Sequence, residues 1–251
     1  MDILKFTLKG KTAFFKKPDV NTYLYFTYGN IHKCALLGIF GALLGYGGYN
    51  EAKLKAEINK NKSVSFPEYY EKLKNIKISI VPLNKNGFIS KKIQSFNNSV
   101  GYASKEVGGN LIVKEQWLEN PAWDVYLMLD NDESQKIADS ILNNVTVFNP
   151  YLGKNDHPAD IIDGQIIKEV KSIDEVSKIS SLVLKDDISI LFDEEEEDEE
   201  EDYFKYEEYL PVKLNENTSL YELKKFVCTN MKINAQDIEV YNIDEKNIVF
   251  Y

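Results

Sequence analysis

The sequence predicts an α+β protein with a ferredoxin-like, RRM-like βαββαβ core, an inserted β-hairpin and a small β-rich C-terminal extension. Segments typical of strands and helices follow one another over residues 1–160 in the order strand, helix, strand, hairpin, strand, helix, strand. Glycines punctuate residues 84–114, which indicates a hairpin arm. After residue 160 the signals weaken to short strands. Residues 161–251 are therefore interpreted as an extension that is continuous with the core.

Each element of the core has its own local signature. Alternation and β-branched or aromatic content predict strands, whereas helices are expected where an uncharged or periodic run follows a turn. The predicted strands are ILKFTL (3–8), IKISIVPL (76–83), DVYLMLD (124–130) and VTVFNPYL (145–152), the last ending in the turn GKNDHPAD. The predicted helices are the uncharged run Cys34–Tyr49, the segment FPEYYEKLKN (66–75) with Pro67 in its first turn, and ESQKIADSILNN (133–144).

The first predicted helix has one face made of small residues. Ala35, Gly38, Ala42 and Gly45 fall at helical spacing on that face. Each interior glycine costs about 0.5–1 kcal/mol relative to alanine, so we expect another backbone to approach closely there. The run is shorter than the roughly 20 apolar residues of a membrane-spanning helix, and a buried helix is the better interpretation.

The extension is predicted to contain short strands, a helix near SLYELKKFVCTN (219–230) and two closing strands, DIEVYNI and NIVFY. Between these lies DEEEEDEEED, ten consecutive acids at residues 193–202. Ten adjacent like charges repel one another, so this run is expected to be a solvated loop.

Charge is distributed unevenly along the chain. The net charge is −10, but residues 1–120 hold 18 Lys against 9 acids, and residues 121–251 hold 12 Lys against 31 acids. A basic N-terminal half indicates a polyanionic partner. The sequence has no Arg and is rich in Asn and Ile, so biased codon usage is the alternative explanation of the lysine content. The two cysteines, Cys34 and Cys228, show no paired spacing, which fits a reducing cytoplasm and gives no sign of a disulfide or zinc site.

Several chemistries lack their motifs. The glycine cluster GALLGYGG has no Lys and Ser/Thr where a phosphate-binding loop requires them, and GxSxG and HExxH are absent. No cofactor or metal is expected. The histidines are His32, at the predicted helix start, and His157, in the GKNDHPAD turn. A metal-independent ribonuclease could in principle use His32 with Lys33 and Tyr28, although a lone histidine at a helix start is more often structural.

The segment before the first helix has the composition of a nucleic-acid-binding surface. Lysines can meet phosphates, aromatic rings can stack on bases, and Asn or Thr can hydrogen-bond to base edges or a 2′-hydroxyl. About half of the aromatic residues are expected to be core. The candidates are Lys11, Lys16 and Lys17 for phosphate, Phe14, Phe15, Tyr23 and Tyr25 for stacking, and Asn21 and Thr22 for hydrogen bonds.

Three blocks of the sequence resemble the CRISPR-associated Cas-five family in its type I-B branch. They are GKTAFFKKPDVNTYLYFTYGNIHKCALLGIFGALLGYGG, FISKKIQSFNNSVGYASKEVGGNLIVKEQWLENPAWDVYLML and YLGKNDHPADI, which cover most of residues 1–160. The first block resembles the N-terminal signature of the family. The acidic run at 193–202 matches no motif of the family.

The resemblance implies a RAMP-type ferredoxin-like core with a protruding hairpin, or thumb, in a Cascade surveillance complex. There the family grips the repeat-derived 5′ handle of the guide RNA and caps the backbone filament. It touches the backbone and large subunits, and target DNA only indirectly. The resemblance implies RNA contacts at Lys16, Lys17, Asn21 and Thr22 in the turn and at Tyr28, His32 and Lys33 at the helix start. For the hairpin it implies contact with the guide RNA or with a neighbouring subunit at Lys91, Lys92, Gln94, Asn97 and Asn98. Lys11 and Phe15 complete the predicted RNA-binding residues. The small-faced helix would hold the turn near the sheet.

The expected function is therefore binding without catalysis, in a non-catalytic RNA-binding subunit of a type I-B Cascade. Two alternatives stay open at this point. One is a metal-independent endoribonuclease that processes CRISPR precursor RNA, and the other is a protein-interaction module without nucleic acid.

Overall fold

The structure is a computed structural model of the 251-residue chain. It describes residues 1–19, 23–58, 66–99, 101, 105–174, 176–191, 202–235 and 238–251. Asn21, Thr22 and residues 193–201 of the acidic run lie outside the described residues. Within the described ranges, none of the helices has both the length and the apolar content needed to cross a bilayer.

The described residues form short helices and many strands. The helices are α1 (Lys33–Leu44), α2 (Tyr49–Ile58), α3 (Glu68–Leu73) and α4 (Asp132–Leu142). The strands of the first two thirds are β1 (Ile3–Lys9), β2 (Thr12–Ala13), β3 (Ile78–Pro82), β4 (Lys91–Asn97), β5 (Ile112–Glu119), β6 (Ala122–Met128) and β7 (Asp160–Ile167). The later strands are β8 (Ser172–Ile173), β9 (Val183–Leu184), β10 (Ile188–Ile190), β11 (Lys205–Leu214), β12 (Tyr221–Thr229), β13 (Ile233–Ala235), β14 (Val240–Ile243) and β15 (Lys246–Val249).

A four-stranded antiparallel sheet lies at the centre, with strand order β3-β6-β1-β7. Because side chains alternate along a strand, Leu4, Phe6 and Leu8 of β1 all point to one face, where they join the main core with α1 and α4. The opposite face carries Ile3 and Tyr126, which pack under residues of β14 and β15. Both faces of this sheet are therefore covered.

Helix α1 is fixed at both ends by its caps. The Nδ1 atom of His32 accepts a hydrogen bond from the Ala35 amide, and Gly45 closes the helix in the left-handed conformation, with φ of 74°. The predicted close approach to the small face is wrong at Gly38, where an added Cβ would meet no atom within 4 Å. The same face is closely approached at Gly45, where an added Cβ would lie 2.8 Å from Val147 Cγ1, and outside that face Gly41 is tight, because its added Cβ would lie 2.5 Å from the Cβ of Tyr69.

The hairpin predicted within residues 84–114 is formed by β4 and β5, which pair in antiparallel register from Lys91 opposite Leu118 to Asn97 opposite Ile112. Its second strand continues to Glu119 and leads almost directly into β6. The other edge of β5 pairs with β2. The arm is thus continuous with the segment that follows β1.

Two predicted elements are wrong. Residues 145–152 are not a strand, because the amides of Val145, Val147 and Phe148 donate to carbonyls at the ends of α4 and α1 and are not free to form a ladder. The helix predicted at 219–230 is strand β12, which pairs with β11 along its length and with β9. Pairing with neighbouring strands overrides the local helical pattern here. The fourth strand of the central sheet is instead β7.

The residues after β7 form three small antiparallel sheets. Their strand orders are β11-β12-β9, β15-β14-β8 and β10-β13. Buried side chains of this region, among them Leu210, Leu214 and Phe226, belong to the same hydrophobic core as α1 and the central sheet. The C-terminal extension is thus packed onto the core.

Candidate nucleic-acid interface

The segment after β2 folds back on itself in a short antiparallel turn. The Lys17 amide donates to the Phe26 carbonyl at 2.8 Å, and the Tyr28 amide donates to the Phe15 carbonyl at 2.9 Å. Thr27 is buried inside the turn, where its hydroxyl accepts from the Phe15 amide. This turn presents Lys16 and Lys17, and Lys11 lies between β1 and β2.

The turn and the hairpin form one surface. The Tyr25 amide donates to the Lys114 carbonyl, and the Tyr25 carbonyl accepts from the Gln116 amide, both at 2.9 Å. Tyr25 thus continues the edge of β5. The two stretches that the sequence predicted to bind RNA are joined by backbone hydrogen bonds.

The lysines of the turn are not equivalent. Lys11 and Lys16 are exposed, and the Lys16 ammonium lies 4.0 Å from the centre of the Tyr25 ring. Lys17 forms an ion pair with Glu208, with 3.2 Å between Nζ and Oε1. Lys11 and Lys16 are therefore better placed than Lys17 to meet a phosphate.

Several predicted contact residues lie below this surface. Phe15, Tyr28 and His32 are each 3% exposed or less, and their rings pack edge to face or tilted against one another and against Trp123. Burial lowers the pKa of His32 to about 3 and raises the pKa of Tyr28. Since these side chains are core, they support the turn and do not form its outer face.

Lys33 also has a structural contact. Its ammonium donates to the main-chain oxygen of Tyr251 at 3.0 Å, and burial lowers its pKa to about 8. The group that the sequence placed beside His32 as an RNA contact thus ties the start of α1 to the C-terminal strand region.

Glu208 of β11 anchors the turn, and sequence reasoning missed it. Its two carboxylate oxygens lie 3.0 and 2.8 Å from the Gly29 amide nitrogen, and it accepts a 2.7 Å hydrogen bond from the Tyr206 hydroxyl. No local signal marks Glu208, because its partner lies 179 residues away along the chain.

The predicted hairpin residues are divided between its two faces. Because directly paired residues share a face, Lys92 lies with Trp117 on one side, and Lys91 lies with Leu118 on the other. By the same alternation Gln94 is on the Lys92 side and Asn97 is on the Lys91 side. Asn98 follows the end of β4, where its amide donates to the Leu111 carbonyl. The predicted set is therefore not one contact surface.

A cluster around Lys154 was also missed. Lys154 donates to both oxygens of the buried Glu115 at 3.0 and 3.1 Å, and Glu115 also accepts from the Trp117 indole at 2.8 Å. The loop that carries Lys154 reaches the turn at Gly153, where φ is 92° and a Cβ would collide with the Phe14 carbonyl. Only glycine allows this approach.

His157 packs beneath the same cluster. It is fully buried, its Nδ1 atom lies 2.7 Å from the Thr12 hydroxyl oxygen, and its ring is edge-on to Trp117. Burial and the neighbouring Lys154 lower its pKa. Both histidines are thus enclosed in the fold.

A groove of about 1080 Å³ opens between these elements. The exposed side of α1 forms its floor, the hairpin and the turn form one wall, and the loop carrying Lys154 forms another. The lining includes Lys16, Tyr25, Ala35, Gly38, Ala42, Tyr46, Phe96, Asn98, Glu115, Phe148, Asn149, Tyr151 and Lys154. Among the residues that the structure describes, no group of three or more His, Cys, Asp or Glu side chains is arranged to hold a metal ion.

No protein-family model matches the sequence, and no curated protein matches it. Solved structures do resemble the fold. A chain of a CRISPR RNA-guided surveillance complex superimposes with a TM-score of 0.53 at 12% identity, over 91% of this chain and 90% of that chain. A CRISPR protein from Archaeoglobus fulgidus superimposes with a TM-score of 0.50 at 11% identity, over 100% of this chain and 98% of that chain.

These likenesses define the class of fold, a mixed α/β protein with antiparallel sheets. More particularly, the chain of the CRISPR RNA-guided surveillance complex and the CRISPR protein from Archaeoglobus fulgidus share this fold.

Proposed function

We propose that this protein is the Cas-five subunit of a type I-B Cascade, a non-catalytic RNA-binding protein that grips the 5′ handle of the guide RNA. The observation that supports this best is the union of turn and hairpin through Tyr25, which puts exposed Lys16 and the hairpin on one surface. Lysines beside exposed aromatic rings suit a single strand, whose phosphates and bases both need partners.

The core is proposed to be ferredoxin-like, with β4 and β5 as the thumb. The sheet order β3-β6-β1-β7, with α1 and α4 on one face, is the order that a βαββαβ unit of this kind requires, and the hairpin is inserted between its second and third strands. The proposed partners are guide RNA and the backbone and large subunits of the complex. The fold likeness to a chain of a CRISPR RNA-guided surveillance complex supports this assignment.

The absence of catalysis is part of the proposal. Cleaving RNA without a metal needs a base that reaches the 2′-hydroxyl and groups that stabilise charge. His32 is 3% exposed and caps α1 through its Nδ1 atom, although it borders the groove, and His157 is buried against Trp117, so we propose that neither histidine acts as the base. We therefore expect purified protein to leave a precursor RNA containing the repeat intact.

The test is to co-express the protein with the other subunits and a CRISPR array, purify the complex, and sequence the RNA it holds. We expect guide RNA whose handle is protected from nuclease only when this subunit is present. A complex that forms without RNA would favour the protein-interaction module. Cleavage of the repeat at one fixed position by the isolated protein would favour the endoribonuclease.

A further inference from the structure

We propose that the groove above helix α1 holds unpaired bases of a single RNA strand. This inference rests on the proposed function. It adds a binding site for the bases of the RNA, which the turn and the hairpin alone do not provide. The groove is a distinct feature of the molecule, since its floor is the small face of α1.

The floor of the groove is open. Ala35, Gly38 and Ala42 are only partly buried, although the neighbouring positions of α1 are core. At Gly38 an added Cβ would meet no atom within 4 Å. A larger residue at this position would gain helix propensity but would take up part of the space above the helix.

The walls of the groove carry aromatic rings from separate elements. Tyr25 comes from the turn, Phe96 from β4, and Phe148 and Tyr151 from the loop after α4. Phe148 and Tyr151 are 58% and 45% exposed. Their segment is held in place, because the Phe148 amide donates to the Ala42 carbonyl. Exposed rings on a fixed backbone are suited to stacking on bases.

Cations lie beside the rings at two points of the groove. Lys16 is 4.0 Å from the centre of the Tyr25 ring, and Lys154 is 5.4 Å from the centre of the Phe96 ring. An RNA strand offers phosphates to the Lys16 ammonium and bases to the rings, whereas the Lys154 ammonium is already paired with Glu115 and Asp156. An apolar peptide would use only the rings and would offer no negative charge to the Lys16 ammonium, so we commit to RNA as the occupant.

The first experiment uses the wild-type full chain and a short fluorescein-labelled single-stranded RNA, followed by the same RNA with one base removed at each position in turn. Anisotropy should show that loss of a base at one or two positions weakens binding about tenfold, whereas the other abasic positions change little. Equal affinity for every abasic RNA would overturn the proposal.

The second experiment fills the groove. Gly38→Leu should weaken binding of the intact RNA and abolish the difference between intact and abasic RNA. The matched control is Gln135→Leu, which adds a leucine to the exposed face of α4 and should bind like wild type. Thermal unfolding tests whether both variants fold. If Gly38→Leu does not fold, the abasic series on the wild-type protein alone decides whether the groove holds bases.

The outcomes separate this inference from the proposed function. If wild type binds no RNA under low salt, the proposed function itself fails. If the wild-type protein binds RNA and folded Gly38→Leu binds it with the same affinity and the same response to abasic positions, the groove inference fails. The RNA would then lie on the turn and the hairpin, and the groove would be assigned to a protein segment.

Discussion

The carboxylate of Glu208 lies on the backbone amide of Gly29, with its oxygens 3.0 and 2.8 Å from that nitrogen. The same carboxylate accepts from Tyr206 and pairs with Lys17. A residue of the C-terminal extension thus sets the position of the turn that carries the candidate RNA contacts. The extension is part of the architecture of the site.

Replacing Glu208 should therefore destabilise the protein. Glu208→Ala leaves the Gly29 amide and the Tyr206 hydroxyl without their acceptor, and we expect the free energy of unfolding in urea to fall by about 1–3 kcal/mol. The control is Glu207→Ala on the same strand, which removes only surface ion pairs with Lys205 and Lys225 and should cost under about 1 kcal/mol. Equal losses would contradict the anchoring role.

The lysines of the turn should differ in their effect on RNA binding. Lys16→Ala should lower the slope of log affinity against log salt by roughly 0.7, the value for one phosphate contact with a single strand. Lys17→Ala should leave the slope unchanged, because its ammonium is already paired with Glu208. Anisotropy titrations over a range of salt concentrations measure the slopes of both variants. A lower slope for Lys17→Ala alone would contradict this prediction, because it would show that Lys17 and not Lys16 contacts the phosphate.

The glycines of α1 should respond to alanine with opposite signs. Gly38→Ala adds a Cβ in open space and should raise the free energy of unfolding by about 0.5–1 kcal/mol through helix propensity. Gly41→Ala puts a Cβ 2.5 Å from the Cβ of Tyr69 and should lower it by about 1–3 kcal/mol, the usual cost of overpacking. Urea unfolding of the pair measures this. Two changes of the same sign would mean that the packing around α1 is not as described.

His32 should make the protein sensitive to acid. Its pKa is about 3 in the folded state because the ring is buried, against about 6.5 in an unfolded chain. The unfolded state therefore binds the additional proton between these values, so His32 contributes stability that is fully present above pH 6.5 and declines as the pH falls toward 3. The limiting slope is about 1.4 kcal/mol per pH unit.

The variant His32→Asn tests this, because asparagine keeps a good helix cap and does not titrate. Urea unfolding at a series of pH values should show that stability falls less steeply below pH 6.5 in His32→Asn than in wild type. Parallel curves would show that the ring is accessible to protons in the folded state. His157 titrates in both proteins and cancels in the comparison.

The acidic run should act through its charge alone. Residues 193–201 are nine acids, and a Gly/Ser linker of the same length removes all of them. The flanks keep their own contacts, since the Leu191 amide donates to the Lys232 carbonyl and Asn230 donates to the Asp202 carbonyl. We expect an unchanged unfolding midpoint and tighter RNA binding at low salt, with the gain lost at high salt. Failure to join the complex would instead identify the run as a docking element.

The sequence predicted correctly those elements whose signals lie within the element itself. Alternation in β1 and the periodic apolar face of α4, which begins at the capping box of Asn131 and Ser134, were both readable from the sequence. Residues 145–152 have the composition of a strand, but their amides are used by the ends of two helices. Whether these amides bond to the helix ends or to a neighbouring strand depends on where α1 ends relative to α4. The local composition does not reveal that position.

The candidate site was predictable only in outline. The aromatic and lysine content of the turn indicated the surface, but it could not tell exposed Lys16 from paired Lys17, since that difference is made by Glu208. Lys154 was missed because it reaches the groove through the bend at Gly153, and its acceptor Glu115 lies on another element. Long-range pairs of this kind have no sequence signature.

The covered second face of the central sheet limits how the chain can be divided. Ile3, Val81, Tyr126 and Met128 pack there under side chains that follow β7, among them Tyr241 and Ile248. A fragment ending after β7 would retain the whole central sheet, helices α1 to α4 and the hairpin, but would expose this apolar face to water. Such a truncated protein would be prone to self-association. The candidate RNA-binding surface is therefore not expected to be stable as a domain that ends after β7.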